Sequence, residues 1–270
     1  YAQPGPRFIW IHFFAPHSPY VARAPWANEW AAAAGTTVDV VPELRNPVEY
    51  DKFHYRRGSR EMAAIEARYD SEIRATDDAV REALESLDPK KKALVIITAD
   101  HGEAFLEHGD YGHLNHYPEV SKIPLLVRYP NHRNAGSRTA RLASILDIPP
   151  TILAEIGAPI PPSLQGQPLQ EVVASSNPDT RELPLHTSRD PATASDSLRT
   201  ASRMFHRFFT PPKDLEVLYD VLTDPFEKKP PLNEPAQIVT FSKRLDELKA
   251  MYENAKKAIV EYKQIGRAHV

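Results

Sequence analysis

The chain contains no cysteine among its 270 residues. Within this sequence the absence excludes disulfide bonds, a zinc ion held by cysteines and a cysteine nucleophile. A cysteine-free chain is compatible with both a reducing and an oxidising compartment, so composition leaves the compartment open.

Long apolar runs and an excess of charge of one sign are also missing. No apolar run approaches the roughly 20 residues that a membrane-spanning helix needs. The formal net charge is −3, from 33 basic and 36 acidic residues, which is unlike a nucleic-acid-binding surface. With 41% hydrophobic residues, the chain is long enough for one sizeable α/β domain with an appendage. The sequence therefore predicts no membrane span and no nucleic-acid partner.

An apolar run followed by a loop rich in acids and histidines is the most informative segment. The run from Ala93 to Thr98 is continuous rather than alternating and is rich in β-branched residues, which is typical of a parallel strand covered on both faces. Asp100, His101 and Glu103 follow directly, and His113 lies further along the loop. Ligands of open α/β sheets bind at the carboxyl ends of strands, so we expect a crevice here that holds a metal ion and an oxyanion.

Two further apolar runs predict neighbouring strands. The run from Arg7 to Phe14 predicts a strand that contains His12 as a buried core histidine. It leads into the segment Ala15 to Tyr20, whose prolines stiffen the turn and direct His17. The run from Ile123 to Val127 predicts the return of the chain to the sheet.

Apolar periodicity predicts three helices. Glu61 to Leu87 is amphipathic and reads as the crossover helix of a βαβ unit. A helix near Leu142 to Ile156 should be broken or restarted by Pro149 and Pro150. Ala236 to Gln264 predicts a closing helix that docks on the body, with a coiled-coil partner surface as the alternative.

The composition of the sequence changes after Gly157, where prolines become frequent and short candidate strands follow. These strands are Leu183 to Thr187, Ser202 to Thr210 and Val217 to Val221. The pattern favours a small subdomain that follows the larger α/β part.

An ordered set of segments resembles the sulfatases, which belong to the alkaline phosphatase superfamily. The segments are His12 to Tyr20, Ala99 to Glu103, Glu107 to His113, Ile123 to Val127, Asp147 to Leu153, Leu164 to Gly166 and Leu218 to Pro225. Each alone is weak, but their order and spacing are specific and cover most of the chain. The resemblance implies an alkaline-phosphatase-like α/β fold with a mixed sheet, flanking helices and a small antiparallel carboxyl-terminal subdomain.

The resemblance also implies how the chain is divided. Residues 1–160 would be the carboxyl-terminal portion of a sulfatase catalytic domain, and 161–264 a small α+β subdomain with the terminal helix. Residues 265–270 match what one frame of a common sequencing adapter would encode, and we expect them to be an artefact.

The family nucleophile is a formylglycine made from Cys or Ser in a Cys/Ser-x-Pro-x-Arg motif, and no proline of this chain has that setting. We therefore expect the nucleophile and a first pair of metal-binding aspartates upstream of Tyr1. We expect this portion alone to be inactive.

Asp100 and His101 are the metal ligands that the resemblance implies, for one divalent ion. Many sulfatases have Asn at the second position and bind calcium through oxygen atoms, and on that ground calcium is the first expectation. The nitrogen of His101 also permits manganese or zinc. A lone Asp100 could instead cap the following turn, so the surrounding motif carries the metal assignment.

Two histidines are the catalytic and substrate-binding candidates that the resemblance implies. His17 matches the histidine that contacts sulfate or phosphate oxygens, and His113 lies where relatives place a group near the leaving oxygen. Either could act as general acid near neutral pH, and we favour His113.

Three nearby residues are candidates for support. Glu103 would structure the loop by accepting backbone N–H groups, or would support the metal ligands. His108 would shape the loop, and His116 could replace His113 as the proton donor.

Three functions are compatible with these residues. The first is a metal-dependent sulfatase that hydrolyses a small-molecule or glycan sulfate ester. The second is a phosphodiesterase, phosphonate hydrolase or phospho-headgroup transferase of the same superfamily, and the third is a non-catalytic binding protein. The family resemblance favours a periplasmic or extracellular location, and the sequence predicts no oligomeric state.

Overall fold

The computed structural model describes residues 7–41, 55–88, 90–187, 194–209 and 212–267, without the side chains of 187, 255 and 257–267. The chain divides into two compact units, Tyr1–Lys91 and Lys92–Val270. Within the described ranges, no helix has both the length and the apolar character that crossing a bilayer requires.

The described residues of the first unit contain the helices α1 (Trp26–Ala33) and α2 (Arg60–Leu87), with a short 3-10 turn at Val38–Val40. The long helix confirms the predicted one and begins one residue earlier. Its N-terminus is capped by Ser59, whose hydroxyl accepts from the Met62 N–H at 3.2 Å. Small buried side chains let the two helices approach closely, namely Ala27, Ala31 and Ala67 with Val38.

The segment that carries His17 is fastened to α2. Tyr20 is buried and meets the Tyr69 ring edge-on at 5.6 Å. The Ser71 hydroxyl of α2 accepts from the Arg23 N–H at 3.0 Å. These contacts hold the turn through the helix rather than through a sheet.

Residues 7–14 do not form the predicted strand. Phe8 and Trp10 are 72% and 79% exposed, and His12, predicted to be buried, is exposed as well. A strand requires a hydrogen-bonded neighbour, and none of the described residues pairs with this run. The predicted βαβ crossover is therefore absent from the described structure.

The second unit begins with two small antiparallel pairs, formed by β1 (Val95–Thr98), β2 (Ala104–Phe105), β3 (Tyr111–Gly112) and β4 (Leu125–Arg128). Strand β1 pairs with β4, and β2 pairs with β3. The one-turn helix α3 (Pro118–Ser121) precedes β4. The predicted strands β1 and β4 are confirmed, but the parallel arrangement is wrong. The chain turns back through a loop without a crossover helix, so the return strand runs antiparallel.

The helix predicted from Leu142 begins later, as α4 (Ile148–Glu155), and is followed by α5 (Leu169–Ala174). Pro149 and Pro150 occupy its first turn, where the missing backbone N–H groups would have no helical partner. The prolines therefore start the helix rather than break it.

The carboxyl-terminal part is a four-stranded antiparallel sheet with strand order β5-β6-β7-β8, covered by a long helix. Its elements are β5 (Leu183–Thr187), β6 (Ser195–Arg199), β7 (Arg203–Phe208), β8 (Leu215–Asp220) and α6 (Pro235–Arg267). Leu198, Phe205 and Leu218 of the sheet pack against Leu245 of α6, and all four are fully buried. The predicted docking of the closing helix is confirmed.

Strand β6 was not predicted from the sequence. Its residues Ser195, Asp196 and Ser197 are polar yet buried, so the strand lacks the apolar alternation that marks a half-buried strand. Side chains from elsewhere in the fold satisfy them.

Replacing Leu245 by alanine should destabilise the second unit by about 2–5 kcal/mol, because a fully buried side chain leaves a cavity between helix and sheet. Val239→Ala on the same helix is the matched control, since Val239 is 67% exposed. Urea unfolding followed by circular dichroism measures both. Equal losses for the two variants would contradict the docked arrangement of α6.

Candidate active site

The loop after β1 begins with Ala99, Asp100 and His101 and is closed by a backbone contact at Gly102. The Gly102 N–H donates to the Val120 carbonyl at 2.7 Å. A Cβ at Gly102 would lie 2.1 Å from the Glu119 carbonyl oxygen, so this approach requires glycine. The contact joins the start of the loop to helix α3.

Asp100 and His101 present an oxygen and a nitrogen donor to the same region. His101 Nδ1 lies 2.7 Å from the Gly102 carbonyl, which can only accept, so Nδ1 carries the proton and Nε2 the lone pair of the neutral ring. Nε2 is 3.8 Å from Asp100 Oδ2. Asp100 Oδ1 accepts from the His101 N–H at 3.1 Å, so the carboxylate caps the turn with one oxygen and faces the imidazole with the other.

The Asp100 oxygen and the His101 nitrogen are placed so that both could bind the same cation. Atoms 3.8 Å apart can both reach one ion through bonds of about 2.0–2.6 Å. The Asp100 side chain is 81% exposed and accessible from solvent. Among the residues that the structure describes, no group of three or more His, Cys, Asp or Glu side chains forms a complete metal centre. Two donors are fewer than a complete shell needs, so Asp100 and His101 alone would supply only part of one.

His113 lies beside His101, with the two rings stacked at 4.0 Å between centroids. Its Nδ1 donates to Glu103 Oε1 at 3.0 Å, and the Glu103 side chain is nearly buried. The carboxylate orients the ring and leaves the lone pair of the neutral imidazole on Nε2. Glu103 thus contacts the proposed proton donor rather than the backbone N–H groups expected from the sequence.

His108 makes three contacts with other residues of the second unit. Its Nδ1 is 2.8 Å from Glu119 Oε1, and its ring stacks on Tyr117 at 3.9 Å. Its Nε2 donates to the Glu227 carbonyl at 3.1 Å. Sequence reasoning did not single out Glu119 or Glu227, since each reads as an ordinary acidic residue in a polar stretch.

His116 is buried within the fold. Its Nδ1 is 2.9 Å from Ser197 Oγ and 3.4 Å from Ser195 Oγ on strand β6. Burial is the main cause that lowers the pKa of His116, the nearby His206 adds to the shift and Asp196 opposes it, and the resulting pKa is about 4. The neutral ring is an anchor between loop and sheet, which is a different position from the proton donor considered in the sequence.

His17 belongs to the first unit and is described there by itself. Its Nδ1 lies 2.7 Å from the Ser18 carbonyl, and its ring is 4.7 Å from the Phe14 ring. These contacts set the direction of the imidazole within the turn. Its role in binding an oxyanion stays a prediction.

The chain matches two known protein families. Residues 1–158 match the family described as sulfatase. Residues 106–254 match the family described as N-sulphoglucosamine sulphohydrolase, C-terminal. The two matches together cover the site loop and the carboxyl-terminal sheet.

Individual relatives agree with these matches. The chain is 26% identical over 209 residues to the multifunctional alkaline phosphatase superfamily protein PehA of Trinickia caryophylli, covering 68% of this chain and 41% of the relative. It is 34% identical over 113 residues to arylsulfatase K of Homo sapiens, covering 41% and 21%. The chain thus spans about two fifths of the first relative and a fifth of the second.

A solved structure shares the fold. The phosphonate monoester hydrolase of Agrobacterium radiobacter superposes with a TM-score of 0.66 at 22% identity, covering 93% of this chain and 58% of that one. The chain has the alkaline-phosphatase-like fold predicted from the sequence.

The stability of the protein should fall as the pH falls from about 6.5 through about 4, because of His116. Its folded pKa lies below its ordinary value of 6.5, so between these values the unfolded chain binds a proton that the folded chain does not. The full loss is about 3 kcal/mol. His116→Asn keeps a donor towards Ser197 without titrating and should reduce this pH dependence. Urea unfolding from pH 4 to 8 tests it, with the exposed His132→Asn as control. An unchanged pH slope in His116→Asn would contradict the prediction.

Proposed function

The chain belongs to the sulfatase family, and from this premise we propose that it carries part of the active site of a hydrolase that cleaves a sulfate ester. The carrying observation is the stacked pair His101 and His113, with Asp100 at its edge, in the loop that follows β1. The match to the carboxyl-terminal N-sulphoglucosamine sulphohydrolase family supports a sulfated sugar as the substrate class.

Such a reaction needs the charge on the sulfate oxygens neutralised and a proton delivered to the leaving oxygen. We assign Asp100 and His101 as ligands of one divalent ion, with calcium first and manganese or zinc as alternatives. The ion would supply Lewis-acid stabilisation of the sulfate oxygens. His17 is proposed to contact those oxygens as well.

His113 is the proposed general acid. The Glu103 carboxylate accepts from Nδ1 at 3.0 Å, so proton exchange with the substrate falls to Nε2. Glu103 is thereby an orienting partner of His113.

None of the residues assigned above is the nucleophile. The sequence has no cysteine and no serine in the spacing that the family motif requires. The proposed reaction uses a formylglycine nucleophile, which would have to come from outside the residues assigned above.

A phosphonate or phosphodiester hydrolase is the second candidate. The nitrogen donor of His101 departs from the all-oxygen shell that calcium prefers, and it suits manganese or zinc. The phosphonate monoester hydrolase named above shares the fold. The two candidates differ in substrate class and use the same loop.

The complete protein encoded at this locus should hydrolyse aryl and sugar sulfate esters faster than phosphonate monoesters. His113→Ala should slow esters with poor leaving groups by about a hundredfold and activated aryl esters far less, because only the former need a proton. Steady-state kinetics across a leaving-group series measures this, with the exposed His132→Ala as control. Preference for phosphonates would favour the second candidate. Hydrolysis of neither class would contradict both and favour a binding role.

Asp100→Asn should weaken binding of the divalent ion by about tenfold or more, because a charged oxygen ligand becomes neutral. Isothermal titration calorimetry with calcium, manganese and zinc measures the affinity directly and needs no turnover. Asp77→Asn is the matched control, since Asp77 is an exposed aspartate of helix α2. Equal affinities for Asp100→Asn and the unmodified protein would contradict the ligand role.

A further inference from the structure

A buried chain of polar groups connects the small sheet to the site loop. Glu227 Oε2 lies 2.6 Å from His206 Nε2, and His206 Nδ1 lies 2.8 Å from Ser197 Oγ. Ser197 Oγ is in turn 2.9 Å from His116 Nδ1. His206 and Ser197 are fully buried, and Glu227 is 4% exposed. Four side chains from separate segments are thus hydrogen-bonded in series.

When both imidazole rings are neutral, only one assignment of donors and acceptors along this series is possible. The Glu227 carboxylate only accepts, so His206 Nε2 carries a proton and Nδ1 a lone pair. Ser197 then donates to His206 and accepts from His116 Nδ1. Every donor has an acceptor, and the series ends on the one negative charge, which makes Glu227 the group that orders the rest.

The backbone of Glu227 holds the same loop at a second point. Its carbonyl oxygen accepts from His108 Nε2 at 3.1 Å. Its own N–H donates to the Asp224 carbonyl at 3.1 Å, and its φ is +54°, a left-handed conformation unusual for glutamate. The turned backbone lets one residue direct its carboxylate at His206 and its carbonyl at His108.

The two loop histidines that are tied to Glu227 flank the proposed general acid in the sequence. His108 and His116 stand on either side of His113 in the sequence, and each is tied to Glu227, one directly and one through the series. His108 also contacts Glu119, whose carbonyl abuts Gly102 next to His101.

We propose that Glu227 is a positioning residue of the site, which sets the orientation of His113 and His101 by holding the loop at His108 and His116. This inference rests on the proposed function for its kinetic consequence. Its structural content, the orientation of His113, is independent of the reaction. Glu227 touches neither ring of the stacked pair and acts through other residues.

The test compares Glu227→Leu with Glu227→Gln in the complete protein. Leucine has similar volume but removes the acceptor, so the His206 N–H is left without its partner. Glutamine keeps an acceptor oxygen for His206 Nε2. Glu171→Leu is the matched control, because Glu171 is exposed on helix α5. Ser197→Ala is a second, milder variant. It removes the hydroxyl that links His206 to His116 and leaves Glu227 in place.

The readouts are the imidazole nitrogen resonances and titration of His113, and kcat and KM over a range of pH. Glu227→Leu and Ser197→Ala should shift the His113 resonances and lower kcat by about tenfold or more with a smaller change in KM, because misplaced proton donors slow the chemical step. Glu227→Gln should restore kcat to within about threefold of the unmodified protein.

Unchanged His113 resonances in Ser197→Ala, or in a folded Glu227→Leu protein, would overturn the positioning role. If Glu227→Leu does not fold, Ser197→Ala decides alone. Absence of turnover in the unmodified protein would count against the proposed function, and the His113 resonances would still decide the role of Glu227.

Discussion

The hydrogen bond from the Gly102 N–H to the Val120 carbonyl is the contact on which the site depends. It exists because residue 102 has no Cβ, which would collide with the Glu119 carbonyl. The bond draws the start of the loop against helix α3, where His101 meets the ring of His113. A loop that carries reacting groups must be held by its surroundings, and here a backbone contact does so at one end.

Buried polar groups hold the other parts of the loop, at some thermodynamic cost. Removing Glu227, His206 and Ser197 from water is unfavourable unless each is hydrogen-bonded, and the series satisfies them in turn. An apolar core would have supplied stability with less constraint on geometry. Directional bonds instead specify where His108 and His116 lie. Through these bonds the carboxyl-terminal sheet fixes the position of the loop.

The sequence predicted those features that depend on neighbouring residues. Periodicity indicated α2 and α6 because one face of each helix must be apolar, and β1 because its run is β-branched throughout. It failed for residues 7–14 and for the direction of β4, because strand formation and strand direction depend on a partner distant in sequence. It also missed β6, whose buried polar side chains resemble those of a loop.

The sequence by itself determined which residues are the candidates for the chemistry. Asp100, His101 and His113 stand out by type and spacing, and the ordered motifs indicated the family that the comparisons show. Only the tertiary structure decided the roles of Glu103, His116 and Glu227, because their partners come from elsewhere in the fold. Residue type records what a side chain can do, whereas its orientation and burial depend on contacts that no local pattern encodes.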